Sequence, residues 1–127
     1  MSRRPTGVQP DAAEAQARYD AYDVVVVPFP YADRLAEKRR PALVISNRKL
    51  TPFGVIWVAM ITSAENASWS CDVAIADLAR ASLPAASVVR TAKIACIEPS
   101  RIERRAGHLD RATAKTVSQK LRSFWGP

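Results

Sequence analysis

Residues 37–47 read EKRRPALVISN, a cationic segment joined to an apolar one at Pro41. The β-branched residues that follow the proline favour a strand. Proline lacks a backbone N–H, so Pro41 suits the first position of a strand better than its middle, and it biases Arg40 towards an extended backbone. The stretch therefore predicts a strand from Pro41 to Asn47. The Arg40 guanidinium would stand at its entrance as a rigid set of donors for an anionic phosphate.

Further strand-like segments lie on both sides of this stretch. Tyr22–Phe29 contains four consecutive valines, which indicates a strand buried on both faces. Val55–Ile61 is a second apolar run, and it follows a turn that holds Pro52 and Gly54. Shorter runs predict a strand at Ser70–Ile75 and, at Ser87–Arg90 and Ala92–Ile97, two strands or one bent strand.

One amphipathic helix is predicted near the end of the chain. Asp110 is a suitable N-cap, and Gly126 a suitable stop. The apolar residues between them recur at spacings of three and four, at Ala114, Val117, Leu121 and Phe124. Six or so short strands before a terminal helix predict a mainly β domain, either a small bent sheet or a partly open barrel capped by the helix.

The chain divides into two parts by composition. Residues 1–20 are expected to form a flexible N-terminal extension, in which the alanine-rich segment Asp11–Ala21 has the composition of a short, weakly docked helix. Residues 21–127 are expected to form a single domain. The longest apolar run, Val55–Ile61, is too short to span a bilayer, and the N-terminus lacks the apolar core of a signal peptide. These features predict a cytoplasmic protein with no membrane segment.

Charge and cysteine content narrow the class of partner and compartment. Lys and Arg number 19 against 12 Asp and Glu, a net charge of +7, which favours a polyanionic partner. A solubilising surface charge is the alternative. Cys71 and Cys96 lack CxxC spacing and are interpreted as reduced thiols in the core, as expected for a reducing compartment.

Conventional catalytic and cofactor motifs are absent from the sequence. It has a single histidine, His108, expected on a turn before the helix, and no nucleotide-binding glycine motif. The spacing of its His, Cys and carboxylate residues does not suit a metal site, so no metal or other cofactor is predicted. What remains is Arg40 and the hydroxyl of Thr62. Antiparallel pairing of their strands would bring the two to one end of the sheet, although a turn-forming threonine and a solvated arginine would explain them equally.

The sequence resembles the MazF/PemK family of toxins from type II toxin–antitoxin modules over roughly residues 22–125. The similarity rests on the order and spacing of six blocks, YDVVVVPFP at 22–30, KRRPALVIS at 38–46, AMITS at 59–63, LP with SVVR at 83–90, 94–102, and GHL at 107–109. It departs from the family at Ala21-Tyr22-Asp23, where many members have Arg-Gly-Asp or Lys-Gly-Asp.

The resemblance implies an SH3-like small β-barrel with a C-terminal α-helix, usually a homodimer and restrained by a cognate antitoxin protein. It also implies a metal-independent, sequence-specific endoribonuclease acting on single-stranded RNA, with 2′-OH attack yielding a 2′,3′-cyclic phosphate and a 5′-OH. The catalytic pair of the family maps onto Arg40 and Thr62. Glu37 is assigned provisionally as the general base, with Glu65 next. Contacts to RNA are assigned to Lys38, Arg39, Ser63, Asn66 and Arg90.

Two other functions stay open at this point. A non-catalytic nucleic-acid-binding SH3-like module would explain the basic charge equally well, and it would bind RNA with a steep salt dependence but leave it uncut. A toxin of the same fold that inhibits a protein target, such as DNA gyrase, would arrest growth without cleaving RNA. The arginine of the 38–46 block argues for the nuclease, because that arginine belongs to the nuclease-type motif.

Overall fold

The computed structural model describes residues 19–29 and 38–127. The extension expected at residues 1–20 lies almost entirely outside them. In chain order the elements are β1 (Asp23–Phe29), β2 (Lys38–Val44), a 3-10 helix (Arg48–Phe53), β3 (Ile56–Ser63), β4 (Asp72–Ala74), α1 (Leu78–Ala81), β5 (Ser87–Ile97), a 3-10 turn (Pro99–Arg101), β6 (Arg104–His108) and α2 (Arg111–Ser123). None of the helices in these two ranges has the length and apolar character needed to cross a membrane.

All six strands belong to one antiparallel sheet in the order β4-β5-β3-β2-β1-β6. Between the edge strands β4 and β6 no ladder forms among the described residues, so the sheet is not closed. The predicted mainly β fold with a C-terminal helix is confirmed, and the partly open form of the barrel is the one observed.

Apolar side chains pack on both faces of the sheet, as the four valines of β1 predicted. Val24 points to the sheet face that packs under α2, whereas Val25 and Val27 point to the other face. All three side chains are almost completely buried. The first cluster includes Val24, Leu43, Ala59, Ile61, Val73, Val89, Leu109 and Val117, and the second Val25, Val27, Ala42, Val44, Ile56, Val58, Met60 and Ile102.

Strand β2 begins at Lys38, three residues before the predicted start at Pro41. Among the described residues, 38–41 pair only with β1, because the ladder to β3 begins at Ala42 and Met60. The open side of this segment tolerates a residue without an N–H, which explains how Pro41 lies inside a strand. Arg40 is therefore a residue of the strand and does not stand at its entrance.

Tyr22 has a backbone φ of 73°, in the left-handed region. At this position many members of the toxin family that the sequence resembles have glycine. The conformation costs a non-glycine residue roughly 1–2 kcal/mol. Its N–H donates to the Val44 carbonyl at 2.6 Å, and its carbonyl accepts from the Leu109 N–H at 2.9 Å. Its side chain also packs against the cluster under α2. These contacts stabilise a backbone conformation that tyrosine rarely adopts.

The segment after α1 forms one bent strand, the second of the two predicted possibilities. Between Ala59 and Met60 the register with β5 shifts from Ile94 to Arg90. The bulge buries Thr91, whose hydroxyl donates to the Cys71 carbonyl at 2.8 Å. Both cysteines are free thiols, but the placement of Cys96 in the core was wrong, because its β5 position is exposed.

Helix α2 begins as predicted and ends slightly earlier than its apolar pattern suggests. A carboxylate oxygen of the N-cap Asp110 accepts the Thr113 N–H at 3.0 Å. The helix ends at Ser123, and the Phe124 ring, expected on the buried face, is 50% exposed. The apolar face of the helix therefore ends at Leu121, which packs against the cluster under α2.

Helix α1 covers the gap between the two edge strands. It follows β4 in the chain and packs against β6 on the far edge of the sheet. The approach is close at Gly107, where a Cβ atom would lie 2.5 Å from the Arg80 carbonyl oxygen and 2.7 Å from the Ala81 carbonyl carbon. Only glycine fits this crossing without a backbone shift.

A buried ion pair joins β4 to β5 at the other edge. Arg90 and Asp72 lie opposite each other, with Nε–Oδ1 and Nη2–Oδ2 distances of 3.0 Å. Their side chains are 9% and 8% exposed. The hydrogen bonds from Arg90 lower the pKa of Asp72, although burial acts in the opposite direction. Arg90 Nη2 also donates to the Ala67 carbonyl at 2.6 Å, which ties down the loop that follows β3.

We expect Gly107→Ala to lower the free energy of unfolding by about 1–3 kcal/mol, because the new methyl group overlaps the backbone of α1. Gly126→Ala is the matched control, since nothing lies within 4 Å of the added atom. Urea unfolding of both variants measures the difference. Equal midpoints would contradict the close packing of α1 on β6.

We expect Asp72→Asn to lower the free energy of unfolding by about 3 kcal/mol at neutral pH, because Arg90 would lose its buried counter-charge. Asp20→Asn, which disrupts the exposed pair with Arg48, should cost at most about 1 kcal/mol. Urea unfolding at neutral pH measures both.

The same pair predicts a pH dependence of stability. The pKa of Asp72 is lower in the folded protein than its ordinary value of 3.8, so its contribution is present above that value and is lost as the pH falls through the folded pKa. Unfolding measured from pH 5 downward should show a smaller acid loss in Asp72→Asn than in the wild type. Parallel pH profiles would show that the pair does not stabilise the fold.

Candidate active site at the ends of β2 and β3

The register of β2 and β3 brings the two predicted catalytic residues to the same end of the sheet. The ladder ends at Ala42 and Met60, and Arg40 lies two residues before Ala42 while Thr62 lies two residues after Met60. Side chains alternate along a strand, so both residues share the face of Ala42 and Met60. The register agrees with the predicted meeting of a cation and a hydroxyl at one end of the sheet.

Both side chains are partly removed from water. The Arg40 side chain is half-buried and its Nε is shielded from solvent. Thr62 is 4% exposed, and its hydroxyl oxygen accepts the Asn66 side-chain N–H at 2.6 Å. Because the oxygen accepts this bond, the hydroxyl proton remains to be donated to an anion. A charge bound here would meet fixed donors in a poorly solvated setting, where electrostatic interactions are stronger than in water.

The loop after β3 is organised by short-range hydrogen bonds. The Ser63 hydroxyl oxygen accepts the Glu65 N–H at 3.1 Å, and the Ser63 carbonyl accepts the Asn66 N–H at 3.1 Å. All three residues are exposed. Asn66 is thereby positioned to hold Thr62, and Glu65 lies in the same loop. Glu37, the first candidate for the general base, lies outside the described residues.

Lys38 and Arg39 precede Arg40 on β2 and lie on opposite faces of it. Lys38 is exposed on the face of Arg40, since the two are separated by two residues. Arg39 lies on the other face, and its Nε is 2.6 Å from a carboxylate oxygen of Glu103. Alternation along the strand thus puts Arg40, and not its neighbour, on the sheet face that also carries Thr62.

Arg90 shares this face but does not present its guanidinium to solvent. Sequence reasoning assigned it to RNA contact, whereas in the structure its buried guanidinium is engaged by Asp72 and the Ala67 carbonyl. Its geometry is that of a positioning residue for the loop that carries Asn66. Sequence reasoning could not identify these partners, because pairing across the sheet brings them together.

One residue near the site was not identified by sequence reasoning. The Trp69 ring lies over the Arg90 guanidinium, 4.5 Å from its carbon to the ring centroid, and the residue is 45% exposed. An exposed aromatic residue in an otherwise small and polar loop was the available signal, because binding residues concentrate on loops held by a rigid scaffold.

His108 lies away from this site, at the β1–β6 edge. It belongs to strand β6 and not to a turn, and its Nδ1 is 2.9 Å from a buried Asp23 oxygen. A groove of about 530 Å³ beside it is lined by Arg80, Arg111, Lys115 and Arg122 on the α2 side of the sheet. Within residues 19–29 and 38–127, His, Cys, Asp and Glu side chains form no group of three or more suited to a metal ion.

Comparison with solved structures identifies the same fold. MazF from Deinococcus radiodurans is 24% identical with a TM-score of 0.64, over 83% of this chain and 94% of that one. A MazE–MazF complex from the same organism is 23% identical with a TM-score of 0.63, over 85% and 95%. An endoribonuclease in complex with its cognate antitoxin, from mycobacterial species, is 16% identical with a TM-score of 0.65, over 86% and 99%.

Sequence comparison supplies the family. Curated protein sequences show no match to this chain. The family model described as PemK-like, MazF-like toxin of type II toxin–antitoxin system matches residues 20–125. This match includes every described strand and helix as well as the 38–46 block that carries Arg40. The chain therefore belongs to the PemK-like, MazF-like toxin family of type II toxin–antitoxin systems.

Proposed function

We propose that this toxin is a metal-independent, sequence-specific endoribonuclease that cleaves single-stranded RNA, with messenger RNA in the cytoplasm as its substrate. The observation that carries the proposal is the register of β2 and β3, in which Arg40 and Thr62 each lie two residues beyond the Ala42–Met60 pair, at the same end and on the same face of the sheet. Membership of the toxin family and the net charge of +7 support it, because a basic protein attracts the RNA backbone.

In the proposed reaction the 2′-OH adjacent to the scissile phosphate loses its proton to a general base, and its oxygen attacks phosphorus. The bond from phosphorus to the 5′-oxygen breaks, and that oxygen takes up a proton. The products are a 2′,3′-cyclic phosphate and a 5′-OH. The reaction needs stabilisation of the negative charge on the non-bridging oxygens of the phosphorane. Arg40 supplies that charge stabilisation with its fork of N–H donors, and Thr62, held by Asn66, orients the phosphate through its hydroxyl.

Glu37 remains the proposed general base, and Glu65 in the loop after β3 is the second candidate. Lys38, Ser63 and Asn66 are proposed to contact the RNA around the scissile phosphate, where their exposure makes them accessible. Arg39, ion-paired with Glu103 on the opposite face, is proposed to reach the RNA backbone outside the reacting centre. Arg90 is proposed to act indirectly, because it fixes the loop after β3 that carries Asn66.

The proposed protein partner is a cognate antitoxin with an acidic, initially disordered segment. Solved relatives include a MazE–MazF complex and an endoribonuclease bound to its cognate antitoxin. A segment of opposite charge would be steered to the basic surface around Arg40 and would fold as it binds. Covering Arg40 and Thr62 would exclude RNA, and inhibition follows directly from that overlap.

The proposed homodimer uses the aromatic surface at the end of α2. Phe124 and Trp125 are 50% and 61% exposed, and the Trp125 ring centroid is 6.2 Å from that of Trp57. Beside them is a cavity of about 280 Å³ whose lining includes Leu50 and Leu121. A second copy of the chain would cover these rings, since large exposed apolar patches are typical of interaction sites.

Purified toxin in EDTA should cleave a mixed RNA pool, and Arg40→Ala and Thr62→Ala should each reduce kcat at least about 100-fold, because each removes a donor to the phosphorane. Arg40→Lys should recover only part of the loss, since it keeps the charge without the fork. Arg111→Ala on α2, on the other side of the sheet, is the charge-matched control and should cleave normally.

The unfolding midpoints of these variants decide how a loss of activity is read. Arg40→Ala should melt close to the wild type, and a large loss of stability would assign Arg40 to the fold.

RNA bound with a steep salt dependence but left intact would favour the non-catalytic binding module. Growth arrest with DNA damage and uncut RNA would favour a toxin directed at a protein.

Light scattering tests the dimer surface. The wild type should measure as a dimer, and Phe124→Ser with Trp125→Ser should shift it to the monomer mass, because buried aromatic residues commonly dominate interfaces. Trp69→Leu changes another exposed ring, in the loop between β3 and β4, and should leave the dimer intact. A dimer that survives both serine substitutions would exclude the α2 end as the interface.

A further inference from the structure

The backbone of Trp69 is fixed by hydrogen bonds although the residue is 45% exposed. Its backbone N–H donates to Asp72 Oδ2 at 2.9 Å, and its carbonyl accepts the Asp72 N–H at 3.0 Å. Asp72 is fixed in turn by the two hydrogen bonds from Arg90. An exposed side chain normally loses conformational freedom when it binds a ligand. For Trp69 part of that freedom is already restricted, because its backbone is hydrogen-bonded and its ring contacts the Arg90 guanidinium.

The two faces of the indole ring have different surroundings. The Arg90 guanidinium lies 4.5 Å from the ring centroid, and the Arg90 side chain is only 9% exposed. The cation therefore lies beneath the ring and supports one face through a cation–π contact. Because Arg90 occupies one face and the residue is 45% exposed, the opposite face is the one that a flat ligand would use.

This ring lies close to the proposed reacting centre. Arg90 pairs with Met60 and Val88 pairs with Thr62, so Arg90 and Thr62 share a face of the sheet. The two positions are separated by two residues along the strands, or about 7 Å. Residues 64–71 connect them as well, because Asn66 near the start of this loop binds Thr62 and Trp69 lies near its end.

We propose that Trp69 is a nucleobase-stacking subsite, which binds one unpaired base of the RNA next to the phosphate held by Arg40 and Thr62. The proposal rests on the proposed function and adds to it the group that binds a base. Single-stranded RNA exposes bases that stack on aromatic side chains. Stacking alone tolerates any base, so Trp69 contributes affinity and position, and edge contacts from neighbours such as Asn66 would select the sequence.

The surroundings of Trp69 favour a base over an apolar protein segment. Trp69 is the one large apolar residue in 64–71, which reads AENASWSC. Every other residue of this loop except Cys71 is small or polar and exposed. A protein segment that docks by apolar burial needs a contiguous apolar patch, whereas a nucleobase needs a single ring face with polar groups around it.

Binding measurements with an uncleavable oligonucleotide test the subsite without depending on cleavage. A short single-stranded sequence is selected by binding from a random pool and prepared with 2′-deoxy sugars, which removes the nucleophile. A matched series then carries one abasic position at a time. The proteins compared are the wild type, Trp69→Phe, which keeps a ring, and Trp69→Leu, which keeps an apolar cover over Arg90.

We expect one abasic position to weaken wild-type binding roughly tenfold, the size of a lost base–aromatic stack. Trp69→Leu should bind the intact oligonucleotide roughly tenfold more weakly and should show no further loss at that same position. Its losses at the other positions should match those of the wild type. Trp69→Phe should lie between the two, and in cleavage assays Trp69→Leu should raise KM with little change in kcat.

Trp69→Leu with wild-type affinity for every oligonucleotide would overturn the proposal, as would an abasic penalty equal in all three proteins. A loss of antitoxin binding in Trp69→Leu, with RNA affinity and KM unchanged, would assign the ring to the protein partner and also overturn it. If Trp69→Leu unfolds much earlier than the wild type, the comparison with Trp69→Phe decides. If the wild type lost affinity at one abasic position where Trp69→Leu shows no further loss, and yet left RNA uncut, that result would contradict the proposed nuclease but not the stacking subsite.

Discussion

The antiparallel register between β2 and β3 is the constraint on which the rest of the structure depends. Both strands are buried on both faces, with Leu43 and Ala59 under α2 and Ala42 and Met60 on the other side. A shift of one residue would exchange these faces along the whole strand. Core packing therefore determines the register, and the register in turn brings Arg40 and Thr62 to the same end and the same face of the sheet. The geometry of the site follows from the core.

On the sheet face that carries the candidate site, a row of apolar residues is continued by a charged pair. Val25, Ala42 and Met60 form a buried row, and Arg90 and Asp72 continue that row on β5 and β4. Replacing a buried ion pair by apolar residues is often neutral or stabilising. Stability alone therefore does not explain this pair, and its hydrogen bond to the Ala67 carbonyl indicates a positional role. Through the loop it orders Asn66, Thr62 and Trp69 together.

Much of the fold was accessible from the sequence because it depends on local patterns. Consecutive valines predicted a strand buried on both faces, and Asp110 with the helical spacing after it predicted the start of α2. The points that the sequence left wrong or open depend on long-range pairing. β1 extends β2 back to Lys38, and the register shift opposite Ala59 and Met60 lets β5 run as one bent strand, which was one of the two predicted possibilities. Neither partner strand is visible in a local window.

The residues of the candidate site were also only partly predictable from the sequence. The family block identified Arg40, and alternation on β2 explains why Arg39 faces away and pairs with Glu103. Arg90 was assigned to RNA because its partners Asp72 and Ala67 become neighbours only in the folded sheet. Trp69 was overlooked because a lone aromatic in a polar loop becomes informative only when the cation beneath it is known. The candidate pair Arg40 and Thr62 came from the family resemblance, whereas the contacts that support the loop beside them form only in the folded sheet.

The central claim is that Arg40 and Thr62 act on a scissile phosphate of RNA. Mapping of RNA ends after brief expression of the toxin, beside Arg40→Ala, tests activity, end chemistry and specificity together. New 2′,3′-cyclic phosphate ends, each matched by a 5′-OH end within one short shared sequence and absent from Arg40→Ala, are the predicted result. New ends that carry 5′-phosphates, or growth arrest with no new ends, would contradict it.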